Sequence, residues 1–149
     1  MFFIRIIVIL VTLAFFNSEP VNAQLLLGEI QTGKASYYAS SLHGRKTAFG
    51  EKFQSTELSA AHRTYPLNTM LEVTNLANNE KVVVRVNDRG PYARSRVVDL
   101  SIEAAKILGI VTKGVANVAI RVVGMEGMVY LGKSEEADPS TGTIIPFIK

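Results

Sequence analysis

The sequence predicts a mainly β domain, closed into a barrel, with one short helix. Short apolar runs rich in β-branched residues recur along the chain, turn residues separate them, and only one segment carries both a helix cap and a helix stop. Periodicity alone does not choose between a barrel and a sandwich; many short strands with a single helix favour the barrel. At 149 residues the chain is long enough for one domain with a real core.

Residues 1–23 stand apart from that core. A basic start at Arg5, an apolar run from Ile6 to Phe16 and small residues at Val21 and Ala23 form the pattern of a cleaved secretory signal. Eleven residues fall short of the about 20 that cross a bilayer as a helix, so a membrane anchor is the weaker reading. Residues 24–32 are a lead-in without assignable pattern. The first strand is expected from Gly33 through Ala39, where small and aromatic residues alternate. Ser40 to Phe53 is too polar for core, and an irregular segment of that length in a compact domain is usually functional or disordered. Leu58–Arg63 fits a short strand or a helical turn, and Pro66 marks a turn.

Met70–Asn75 and Lys81–Val86 alternate as two strands, and Leu76–Glu80 between them holds two asparagines suited to a hairpin loop. Arg96–Leu100 reads as a brief strand. Ser101 is a good cap for a helix over Ile102–Leu108, with Gly109 as its stop. Val115–Val123 is the last expected strand of a domain spanning 33–123. Residues 124–149 form a C-terminal tail, mobile over Lys133–Thr143, while Ile144–Ile148 either docks on the domain or sits free.

Composition limits the chemistry. Without cysteine there is no disulfide, thiolate metal site or lipid-modified cysteine, and two histidines make a zinc site improbable, so neither metal nor cofactor is expected. The net charge of +3 suits a polyanionic wall and is too weak and scattered to argue for nucleic acid. Removing the signal with Arg5 and Glu19 leaves that charge unchanged.

The valine run Val82-Val83-Val84-Arg85-Val86 drives straight into Asn87-Asp88-Arg89-Gly90-Pro91. Such a run places Asp88 at the mouth of a strand, where a carboxylate can do chemistry. Taken alone, the same five residues read more readily as an ordinary turn.

Six motifs in order shift that balance: Gly33–Tyr38, Gly44–Glu51, Ala60–Thr64, Val73–Leu76, Val84–Pro91 and Val98–Ser101. Together they closely resemble the rare lipoprotein A family, bacterial lytic transglycosylases built on a six-stranded double-psi β-barrel and similar in fold to expansins and family-45 endoglucanases. The resemblance implies endolytic cleavage of peptidoglycan glycan strands between N-acetylmuramic acid and N-acetylglucosamine, with peptide-free strands preferred and a 1,6-anhydro end left behind. Val97-Val98-Asp99 lies where the expansins and endoglucanases carry His-Phe-Asp. Many members have a lipid-attachment cysteine and a C-terminal glycan-binding SPOR domain; the sequence shows neither, so a secreted or periplasmic monomer without a stable membrane anchor is expected.

Breaking a glycosidic bond requires a carboxylic acid to protonate the leaving oxygen. Asp88 is the first candidate, although the neighbouring Arg89 would oppose an acid role unless it points elsewhere, for instance at a substrate carboxylate. Glu51 is the second candidate; two carboxylates close together would raise one pKa and leave the other charged. His62, Arg89 and Asp99 are expected to contact substrate. For His62 a partly buried structural role is as strong, and Asp99 has a competing role beside the helix start. His43 is expected to be exposed. Tyr37, Tyr38 and Tyr92 could stack on sugars, though strand tyrosines more often belong to core. The alternative function is a non-catalytic, expansin-like wall-binding or wall-loosening protein; a secreted interaction protein on the same scaffold is a third reading.

Overall fold

The structure, a computed structural model, describes residues 26–129, 135–138 and 143–146. Strands β1 (Ile30–Tyr37), β2 (Ser59–Ala61), β3 (Thr69–Asn75), β4 (Lys81–Asp88), β5 (Arg96–Leu100) and β6 (Ala116–Met125) hydrogen-bond in the order β1-β5-β2-β4-β3-β6. A β1–β6 pairing closes the ring. Two of its pairs, β1–β5 and β2–β4, are parallel and the rest antiparallel, as in a double-psi barrel. The strand β1 begins at Ile30, opposite Arg121, so the lead-in supplies three more barrel residues than its lack of pattern suggested.

The β3–β4 hairpin forms where the alternation placed it, with Val73 opposite Val82 and Leu71 opposite Val84. All four side chains are fully buried, and with Val86, Val98, Leu100, Val118 and Ile120 they fill the barrel. Helix α1 (Ile102–Ile107) starts at Ser101, whose Oγ accepts from the Ala104 amide, and turns Ala104, Ala105 and Leu108 into the same core.

Beyond Met125 the chain folds back as β7 (Met128–Val129) along β6. Of the stretch read as a tail, β8 (Glu135–Asp138) and β9 (Thr143–Pro146) pair antiparallel, and β9 lies against β4. The remainder of that tail and the expected signal segment lie outside the described residues.

Bulges break the alternation where the candidate site begins. Between Ala60 and Ala61 the β4 partner jumps from Val86 to Asp88, which leaves Asn87 as an extra residue. Regular alternation would put Asp88 on the core side with Val84 and Val86; the bulge moves it into the row of Ala61 instead. Ala61 also pairs with Asp99, and Asp99 with Ser36. Ser36, Asp99, Ala61 and Asp88 therefore form one row, with the two aspartates two strand spacings apart, about 10 Å between their backbones. A matching jump on β5 from Arg96 to Val98 leaves Val97 as the extra residue.

Candidate active site

Asp88 ends β4 at the foot of a pocket of about 320 Å³ that it shares with Tyr38, Arg45, Lys46, Thr47 and Phe53. Three donors hold the carboxylate. Oδ1 accepts from the backbone amides of Ala48 at 2.7 Å and Arg89 at 2.8 Å, and Oδ2 accepts from the Tyr38 hydroxyl at 3.0 Å. Burial, and next the Asp88 charge, push the Tyr38 phenol far above its ordinary value of 10.0, so it remains a donor at any working pH. Its ring meets Phe53 edge-on at 5.0 Å between centroids.

The long polar segment wraps this pocket. A 3-10 turn at Ser40–Leu42 is followed by irregular chain pinned by the bridge between Lys46 and Lys52. Glu51 sits on that segment, but its partner is Arg85: Nη1 reaches Oε1 at 2.8 Å and Nη2 reaches Oε2 at 3.0 Å. Those charge-assisted bonds hold its carboxyl below the ordinary carboxylate value. Glu51 is thus arranged to stay ionised. Asn87, the bulge residue, also faces Glu51, yet neither of its buried amide atoms makes a hydrogen bond of good geometry among the described residues.

His62 lines a different pocket, with Gln31, Arg63, Thr64 and Val97. Its ring stacks on Tyr65 at 3.8 Å, and Nδ1 accepts from the amides of Thr64 and Tyr65 at 3.3 and 3.1 Å. The ring proton therefore belongs on Nε2, which faces Gln31 Oε1 at 3.3 Å. Burial lowers its pKa to about 4, which leaves it neutral near pH 7. Its link to Asp88 runs through the backbone, where the His62 amide donates to the Asp88 carbonyl.

Arg89 turns away from Asp88. Its guanidinium donates to the carbonyls of His62 and Tyr65 and lies over the Phe49 ring at 4.5 Å, so it clamps two loops rather than reaching for a substrate carboxylate. Asp99 accepts from the Ser36 hydroxyl at 2.6 Å and pairs with Arg96 at 3.3 Å; Ser101 alone caps the helix. Tyr37 bonds the Val111 carbonyl, whereas Tyr92 is 90% exposed beside this face. His43 is exposed and shares a hydrogen bond with Ser55.

Two partners of the candidate carboxylates carry no such role in the sequence reading: Tyr38 reads as a stacking face or, more often, core, and Arg85 as part of a strand and of the Val84–Pro91 motif. An arginine inside a valine run is the signal that a carboxylate waits on that face.

The family described as lytic transglycolase matches residues 30–120. The chain belongs to this family. Relatives within it include the probable endolytic peptidoglycan transglycosylase RlpA of Synechocystis, 50% identical over 102 residues, covering 68% of this chain and 32% of the relative. The endolytic peptidoglycan transglycosylase RlpA of Campylobacter jejuni is 48% identical over 98 residues, covering 66% of this chain and 36% of that one. The probable RlpA of Treponema pallidum is 52% identical over 103 residues, with 66% and 32% covered. The chain spans about a third of the length of these curated relatives. Among solved structures, the Streptomyces papain inhibitor matches at a TM-score of 0.53 and 24% identity, over 64% of this chain and 94% of that one. The apo expansin of Clavibacter michiganensis matches at 0.51 and 23%, over 64% and 50%. Both share the barrel, and the resemblance to the rare lipoprotein A family read from the six motifs is borne out.

Proposed function

We propose that this chain is an endolytic peptidoglycan lytic transglycosylase in which Asp88 serves as both acid and base. The observation that carries the reading is the seat of Asp88: Oδ1 is held by two backbone amides, while Oδ2 keeps a lone pair beside Tyr38 in an open pocket. A proton on Oδ2 passes to the O4 leaving group of N-acetylglucosamine as the C1–O4 bond breaks. The C6 hydroxyl of the same muramic acid then closes on C1, and its proton returns to Asp88. No outside water enters, so one carboxyl group suffices. Glu51, kept ionised by Arg85, contributes negative charge toward the oxocarbenium-like centre rather than a proton. His62 and Asp99 support the cleft from its flanks.

The relatives' names supply the substrate, and the RlpA resemblance suggests peptide-free strands. The protein acts outside the cytoplasm, as a monomer released after Ala23. N-terminal sequencing of the exported protein tests that release, with Gln24 as the expected first residue.

The deciding experiment is mass spectrometry of products from intact and peptide-stripped peptidoglycan, with Asp88→Asn alongside. Anhydro-muramic ends, reduced about a hundredfold or more in the variant, are expected. Reducing ends would instead mean hydrolysis by a water-activating pair. The expansin-like alternative turns on Asp88 alone: Glu51 and Asp99 are both committed to arginines, so without proton transfer from Asp88 the groove would hold glycan and not cut it. Glycan retained without any cleavage would establish that alternative.

A further inference from the structure

A cavity of about 700 Å³ opens between the β3–β4 turn, the end of α1 and the start of β6. It shares no lining residue with the Asp88 pocket and is about twice its volume. Its floor is built: the carboxamides of Asn75 and Asn78 both donate to the Leu108 carbonyl, at 2.8 and 3.2 Å. Gly109 turns the chain there at a φ of +68°, with its missing Cβ only 3.2 Å from Asn78 Nδ2. Leu76 and Val115 supply the apolar walls, 51% and 42% exposed, over the buried Ile110. At the rim are Lys34 and Lys113, both exposed and in no ion pair among the described residues. Among the described residues no aspartate or glutamate lines it.

A ligand-sized hollow with apolar walls and two uncompensated cations selects an anion that also carries small apolar groups. A peptide-free glycan strand meets it only once per disaccharide, through the lactyl carboxylate and methyl of each muramic acid. A short acidic peptide with methyl side chains places several carboxylates and methyls within the span of one cavity.

We propose that this cavity binds a stem peptide of peptidoglycan, its carboxylates against Lys34 and Lys113 and its alanine methyls on Leu76 and Val115. The identity of the peptide rests on the function proposed above; the preference for an anion bearing methyl groups rests on the cavity alone. Holding a peptide-bearing stretch there raises the local concentration of wall polymer at the Asp88 pocket, with no new contact to the scissile bond.

The test is titration of the nitrogen-15-labelled protein with the soluble stem tetrapeptide. Controls are the same peptide with its carboxylates amidated and a peptide-free glycan oligomer. The amides of Leu76, Gly109, Val115 and Asn117 are expected to shift with the free peptide. Combining Lys34→Gln with Lys113→Gln, or amidating the peptide, is expected to weaken Kd about tenfold, as two exposed ion pairs would. Val115→Asp is a second variant that repels the anion. All three proteins keep cleavage of peptide-free strands. Unmoved amides at saturating peptide, shifts confined to the surroundings of Asp88, the same shifts with the peptide-free oligomer, or a double variant that binds as tightly as wild type would each overturn the proposal. Peptide binding without cleavage of any strand would overturn the proposed function and leave the cavity assignment standing. Cleavage without peptide binding would do the reverse.

Discussion

Arg85 grips Glu51 through both terminal nitrogens, at 2.8 and 3.0 Å, and so fastens the long polar segment to β4 three residues before Asp88. Glu57 and Glu126 crowd the same guanidinium at 3.8 and 3.9 Å. Replacing Arg85 by Met leaves three carboxylates without their common cation. The partly exposed setting limits the loss to about 1 kcal/mol, read as a lower urea midpoint. The pH dependence has a definite sign. Glu51 has a folded pKa below its ordinary 4.5, so its stabilisation is full above that value and fades as pH falls through the lowered one. Wild type and Glu51→Gln should therefore converge in stability only in acid; a constant difference down to pH 2 would contradict the pairing.

His62 obeys the same linkage through the opposite chemistry, because burial excludes its cation. The folded pKa of about 4 lies below the ordinary 6.5, so the folded state binds fewer protons between them. The stabilisation is complete above about pH 6.5 and is lost as pH falls toward 4, at a limit of about 1.4 kcal/mol per pH unit. His62→Asn is expected to flatten that slope. Nitrogen-15 spectra of the imidazole should show the Nε2–H tautomer at pH 6; a protonated ring there would refute the assignment.

Gly33 gives a sharper packing test. A Cβ added to it would collide with Cγ1 of Val97, and Val97 is the bulge residue of β5. A valine cannot swing its methyls clear as a long side chain can. Gly33→Ala is expected to destabilise by about 1–3 kcal/mol, and adding Val97→Ala should recover most of it. Additive losses in the double variant would mean that the two residues do not press on one another.

What could be read from the residues, and what could not, divides along the range of the interaction. The β3–β4 hairpin, the Ser101 cap and the polar segment over 40–53 follow from patterns within a few residues, and each appears in place. The bulges at Asn87 and Val97 do not follow, because they arise from parallel pairing with strands distant in sequence. Yet the Asn87 bulge is what moves Asp88 out of the core alternation. The candidate carboxylates were likewise visible as residue types, whereas their partners were not. Glu51 and Arg85 are 34 positions apart, and Tyr38 and Asp88 are 50 apart. Arg89 shows the converse: adjacency to Asp88 suggested an electrostatic conflict, and the strand's exit direction sends the guanidinium to backbone carbonyls instead.

Tyr38→Phe isolates the contact that remains. Among the described residues its hydroxyl supplies the one hydrogen bond to Asp88 Oδ2, while both backbone donors serve Oδ1. Removing it leaves the ring packed edge-on against Phe53, so the fold should be kept and the melting temperature should change little. The carboxyl group, however, loses its orientation toward the pocket. A hydrogen bond to a charged group is worth about 1.5–3 kcal/mol, which corresponds to a fall in kcat of about ten- to a hundredfold. Because the hydroxyl acts on Asp88 and not on the sugar, KM should stay near its wild-type value. A raised KM with unchanged kcat would instead make Tyr38 a sugar-binding residue and leave Oδ2 free to choose its own orientation.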